Sequence, residues 1–254
     1  MTYTSPGAEV YTLYLDALKQ PHLLIAGATG SGKSVIINGL IYTALNRIPG
    51  CQPQGTELIL IDPKRVELAP YKDMPHTIAY ASGLDPQAWY RALSAALNIM
   101  DRRYADMEKR GLRMYDGGDL YVIIDEWAAL VTCDLRGHLC EKAAQRLSCE
   151  GRAARVHLII ATQTPKAEIL STRIKCNIDW RFCLRTNNRN ESRLIMENAG
   201  CENLPRYGEG YYVRPGISEL CNIPMMTDDE LDAMTAFWRK QKPLTKKTWS
   251  LFRH

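Results

Sequence analysis

Two rhythms of apolar positions alternate along the chain. Short, nearly unbroken apolar runs occupy residues 22–26, 57–61, 121–124, 157–161, 181–184 and 210–213. Their Leu/Ile/Val content predicts strands covered on both faces, as in a parallel sheet flanked by helices. Between them, apolar residues recur every three or four positions, the spacing of one helical face. One helix is predicted from Lys33 to about Asn46, where Pro49-Gly50 stops it. A second opens at Asp85-Pro86, a cap followed by proline in the first turn, and steps through Trp89, Leu93, Leu97, Met100, Tyr104 and Met107. A third is expected over about 139–153. A last one runs from Thr227 to about Lys240, where Thr227 and Glu230 have capping-box spacing. The alternation describes an α/β fold, with a mainly parallel sheet and helices on both faces.

Composition narrows the picture only slightly. The chain has 254 residues, 46% hydrophobic and 24% charged, enough for one well-packed domain. Residues 1–20 read as a lead-in segment and 21–225 as the α/β domain. Residues 226–254 read as a helix with a basic tail carrying Lys246, Lys247 and Arg253. No apolar run reaches the ~18 residues of a membrane span. The first residues have neither the basic start nor the apolar stretch of a secretory signal, so a cytoplasmic location is expected. A net charge of +4 is compatible with nucleic acid without singling it out. No Cys-x-x-Cys pair occurs, and Cys133, Cys140 and Cys149 near His138 are spaced too widely for a usual zinc site. Free thiols in a reducing compartment are expected.

Gly27-Ala28-Thr29-Gly30-Ser31-Gly32-Lys33-Ser34 fits G-x-x-x-x-G-K-[ST] between a predicted strand and a predicted helix. Glycines let the backbone curl until its N–H groups converge on a phosphate, and the helix start adds its positive dipole end. In this pattern Lys33 bridges the β- and γ-phosphates of ATP and Ser34 ligates Mg²⁺. A hydrolase of this kind also needs an acid near the metal and a base for the attacking water. Asp125 and Glu126, ending the run Tyr121-Val122-Ile123-Ile124, supply both. Asp125 is expected on the metal and Glu126 on the water. Gln163, after Ile159-Ile160-Ala161-Thr162, is placed to sense the γ-phosphate.

In this order the segments resemble the FtsK/SpoIIIE family of DNA translocases. Leu23-Leu24-Ile25-Ala26-Gly27, Ile61-Asp62-Pro63-Lys64, Glu67-Leu68, Pro75-His76 and Met100-Asp101-Arg102-Arg103-Tyr104 carry the likeness. Asp125-Glu126 with Ala128, Arg152-Ala153-Ala154 before His157, and Ala161-Thr162-Gln163 continue it. Ile174-Lys175-Cys176-Asn177-Ile178, Ala199-Gly200 and residues 208–211 complete it. The resemblance implies a RecA-like P-loop ATPase core that works as a hexameric ring around double-stranded DNA. It places Arg152 as an arginine finger reaching a neighbour's site and Lys175 as a second basic position at that interface. Full-length members carry membrane segments ahead of the motor and a winged-helix module behind it. Neither is expected here, so any anchoring comes from a partner protein, and Arg155 stands where the family usually has a small residue. Arg102, Arg103, Lys109, Arg110 and Arg113 form one expected DNA-contacting stretch, and Lys166 and Arg173 a second. Function is expected to be ATP-driven movement of duplex DNA, in plasmid or phage DNA transfer or packaging. The alternatives are a protein-secretion ATPase of the same superfamily and an ATP-gated assembly protein without turnover.

Overall fold

The computed structural model describes residues 2–4, 10–12, 21–45, 55–134, 138–223 and 225–240. Within the expected lead-in, β1 (Thr2–Thr4) and β2 (Val10–Thr12) pair antiparallel. The remaining strands are β3 (Leu23–Ala26), β4 (Glu57–Asp62), β5 (Thr77–Ser82), β6 (Leu120–Ile124), β7 (Val156–Thr162), β8 (Trp180–Cys183), β9 (Glu209–Arg214) and β10 (Ile217–Asn222). These eight form one sheet in the order β10-β9-β8-β3-β7-β6-β4-β5. From β8 to β5 every neighbouring pair is parallel, and β9 and β10 close the far edge as an antiparallel hairpin.

The helices are α1 (Lys33–Leu45), α2 (Pro86–Arg110), α3 (Trp127–Cys133), α4 (Leu139–Glu150), α5 (Thr172–Lys175), α6 (Arg189–Met196) and α7 (Asp228–Arg239). Alternation along each strand splits the core in two. Leu24, Ile59, Ile61, Val122, Ile124, Leu158 and Ile160 face the side covered by α2, α3 and α4. Leu23, Ile25, Leu58, Leu60, Ile123 and Ile159 face α1 and α7. Helices thus cover both faces, as the apolar runs predict.

The Asp85 side chain caps α2 by accepting from the Gln87 and Ala88 N–H groups, and Gly111 ends the helix in the left-handed region at φ 64. The capping box at Thr227 and Glu230 is formed. Helix α4 is shorter than expected, because Gly151–Arg155 turns sharply into β7 and Arg155 takes a left-handed φ of 55. The expected end of α1 at Asn46 and the basic tail lie outside the described residues. No helix among those described is long and apolar enough to cross a membrane.

Sheet order brings the sequence segments together. Because β7 lies between β3 and β6, residues just past β7 are wedged between the loop after β3 and the acid pair after β6. Ala26 is in register with Thr162, and Ile124 with Ile160, so these strands end at one common edge. That edge is where ligands bind in open α/β sheets.

Candidate active site

The 27–34 loop is tied to both neighbours of β3. The Gly27 N–H donates to the Thr162 carbonyl at 3.3 Å and the Ala28 N–H to the Arg185 carbonyl at 2.7 Å. This close approach accounts for glycine at 27: a Cβ there would sit 2.6 Å from the Leu184 Cβ and 3.1 Å from the Arg185 carbonyl oxygen. Gly32 takes φ 103, a conformation that side chains oppose. Lys33 is buried, and its Nζ donates to the carbonyls of Gly27 at 2.6 Å and Ala28 at 2.8 Å. Burial lowers its pKa to about 8, against the opposing pull of Glu126. The Ser31 hydroxyl is also buried, with no hydrogen-bond partner among the described residues, while Ser34 is half-buried at the start of α1.

The acid pair lies directly across the edge. Asp125 is 4% exposed, and its Oδ2 has no donor among the described residues. Burial, reinforced by the negative charges of Glu67 and Asp62, pushes its carboxyl up to about 7. A buried carboxylate oxygen without a donor is costly unless a proton or a cation meets it. An oxygen ligand of this kind suits a hard cation such as Mg²⁺, and the Ser34 hydroxyl at the start of α1 is the second expected ligand. Glu126 has the opposite surroundings. Its Oε1 accepts from the Thr162 hydroxyl at 2.9 Å and the Gln163 N–H at 3.1 Å, and its Oε2 accepts from Lys64 Nζ at 3.1 Å. The Gln163 side chain in turn accepts from the Thr29 hydroxyl at 2.9 Å. One hydrogen-bonded path therefore joins the phosphate loop to the acid pair through the end of β7.

Sequence reasoning assigned no role to Lys64 or Thr162, and missed Arg206 altogether. Lys64 follows the end of β4 and Thr162 ends β7, so both occupy strand-end positions on the ligand edge; that placement is the signal that could have found them. Asp62, at the end of β4, accepts from the Leu68 N–H at 3.1 Å and the Tyr80 hydroxyl at 3.3 Å.

The other expected site residues lie elsewhere. Arg152 is exposed where the chain turns into β7, at the opposite end of that strand from Gln163. Lys175 reaches the Leu194 carbonyl at 3.5 Å. Arg103 does not belong to a DNA-contacting surface. It is 7% exposed and donates to the carbonyls of Ala154 and Arg155, each at 2.9 Å, with Glu57 at 3.7 Å. On the inward face of α2, its guanidinium serves the packing of that helix on the 151–155 turn. Arg110 is exposed but engaged by Asp106 and Asp116, both at 2.9 Å. Arg102, Lys109, Arg113, Lys166 and Arg173 are exposed.

The FtsK/SpoIIIE family model matches residues 9–121. The DNA translocase FtsK of Helicobacter pylori strain J99 is 34% identical over 242 residues, covering 89% of this chain and 28% of that protein. The DNA translocase SpoIIIE of Bacillus subtilis strain 168 is 35% identical over 235 residues, covering 84% and 29%. The chain thus spans less than a third of the length of these relatives. Among solved structures, the pCW3 conjugation coupling protein TcpA with ATPγS superposes with a TM-score of 0.78 at 22% identity, over 94% of this chain and 70% of that one. The type VII secretion ATPase EccC of Thermomonospora curvata gives 0.70 at 21% identity, over 90% and 29%. At these identities the two structures speak for the fold.

Proposed function

The chain belongs to the FtsK/SpoIIIE family, and on that premise we propose that it is the ATP-hydrolysing motor of a DNA translocase. The observation that carries the reading is the bonded path from Thr29 through Gln163 to Glu126, which couples the phosphate loop to a base held in place. Lys33, now turned onto two loop carbonyls, is the cation that the β- and γ-phosphates would draw across. The backbone N–H groups of residues 27–34 cradle the phosphates. Ser34 and Asp125 would hold Mg²⁺, which would supply charge neutralisation on the phosphates. Glu126 orients the attacking water and takes its proton. Gln163, bonded to the loop by its side chain and to Glu126 by its N–H, senses the γ-phosphate and transmits its loss along β7.

The motor acts on double-stranded DNA as a hexameric ring, with Arg152 of one subunit completing the site of the next, in plasmid or phage DNA transfer or packaging. Support comes from the DNA translocases that share a third of its residues over most of its length.

The test is ATP hydrolysis across protein concentrations, with and without linear duplex DNA. We expect activity per subunit to rise with concentration and again with DNA. Glu126→Gln is expected to bind ATP yet lose turnover by roughly 10²-fold or more. Indifference to duplex, with stimulation by an exported polypeptide, would turn the reading toward protein secretion. Binding without turnover at every concentration would leave only a nucleotide-gated assembly role.

A further inference from the structure

The turn Pro205-Arg206-Tyr207-Gly208 leads into β9, which runs antiparallel to β8. Its start therefore lies at the edge where the phosphate loop opens. Arg206 extends over that loop: a Cβ on Gly30 would stand 3.5 Å from Arg206 Nη2 and 3.8 Å from its Nε. Glycine at 30, with φ 71, leaves that space clear. Behind the guanidinium lies the ring of Tyr207, its centroid 5.2 Å from Arg206 Cζ. Among the described residues no carboxylate pairs with Arg206.

We propose that Arg206 is a phosphate-gripping residue of the chain's own nucleotide site, with Tyr207 as the residue that positions it. The inference rests on the ATPase reading above and deepens it. A guanidinium is planar, permanently charged and able to give two parallel hydrogen bonds to a phosphate. Stacking on an aromatic ring fixes its plane and lessens the conformational freedom lost on binding. The loop beneath offers neutral N–H and hydroxyl groups and one lysine, so an added cation on the open side closes the grip. Arg206 therefore serves binding within the subunit, whereas Arg152 serves hydrolysis in a neighbour.

ATPγS and ADP binding to the full chain is measured by calorimetry for wild type, R206A, R206K and Y207A, with thermal melting of each. R206A is expected to weaken both nucleotides about tenfold, R206K to recover part of the loss, and Y207A to cost about threefold. In steady state, KM should rise with kcat nearly unchanged, and the gap between wild type and R206A should shrink as salt is raised. If R206A does not fold, R206Q carries the same expectation. Wild type that binds nucleotide while a folded R206A or R206Q binds equally well overturns the Arg206 assignment alone. Wild type that binds neither nucleotide overturns the ATPase reading itself.

Discussion

In the proposed mechanism Glu126 is the general base, and such a base has to be kept where its water arrives; donors from the end of β7 and a lysine hold Glu126 in place. The Thr162 hydroxyl, the Gln163 N–H and Lys64 together satisfy both carboxylate oxygens. Thr162→Val keeps the volume and β-branching but removes one donor from a buried carboxylate. We expect kcat to fall about tenfold and KM to stay within about twofold, read from steady-state hydrolysis. An unchanged kcat would mean that the remaining two donors suffice. His22 shows the same scale at work in stability. Its Nδ1 accepts from the Leu158 N–H at 3.1 Å, and burial, with help from His157, lowers its pKa to about 3. The folded state keeps this ring neutral while the unfolded chain takes up a proton below about 6.5. Its contribution is therefore complete above that pH and is lost as pH falls toward 3. At pH 5 the loss amounts to about 2 kcal/mol, to which the buried His76 ring adds in the same direction. The raised carboxyl of Asp125 gains stability over the same range, so denaturant melts at pH 7 and pH 5 are compared between wild type and His22→Gln, and an equal pH dependence in both would contradict the assigned neutral state.

At the opposite edge of the sheet, β6 and β7 are joined by a buried ionic knot that decides how α4 hands over to β7. Asp119 accepts from Arg155 Nε at 2.8 Å and Nη2 at 2.7 Å, and from His157 Nε2 at 2.8 Å. Burial alone would raise this carboxyl, yet the hydrogen bonds from His157 and Arg155 hold it below the ordinary value. Arg155 is thereby given a buried partner and a left-handed turn. Asp119→Ala leaves a buried guanidinium without its carboxylate, so a loss of about 3–5 kcal/mol is expected in denaturant unfolding. The knot also shows which elements the sequence could disclose. Strands β3, β4, β6, β7 and β8 are covered on both faces and read as nearly unbroken apolar runs. Strand β5 mixes Thr, Tyr and Ser with Ile and Ala, four of its six positions half-buried at the sheet edge, and β10 has a single buried residue, so neither rises above a loop in the sequence. Helix α6 was hidden by Asn187-Asn188-Arg189-Asn190, although Asn188 caps it. In the site, contiguous motifs were legible: the 27–34 loop and Asp125-Glu126. The bonds that link them, between residues 36 to 134 positions apart, depend on strand order and could not be read beforehand.

For the whole molecule, the decisive fact is that Arg152 and Gln163 stand at opposite ends of β7. The strand Val156–Thr162 rises about 20 Å at ~3.3 Å per residue. A side chain reaching 6–7 Å, as an arginine's does in round terms, cannot span that distance to its own phosphate loop. If Arg152 is an arginine finger, it must act on another copy, and subunits defective in different parts must complement each other. Lys33→Ala disables the loop but leaves Arg152 to be lent; Arg152→Ala leaves the loop intact but lends nothing. Each alone should be at least ~10²-fold below wild type in DNA-stimulated hydrolysis, in keeping with the range for arginine fingers. In an equimolar mixture, sites formed by an intact loop beside a lent Arg152 reappear. For random assembly, one interface in four should carry this pairing, since each of its two subunits is of the needed type half the time. The mixture should then reach up to about a quarter of wild-type activity if interfaces act independently, and less if firing requires all subunits of the ring in turn. Activity no greater than the mean of the two variants would show that Arg152 is not shared between subunits, and would move the search for a trans-acting cation to Lys175.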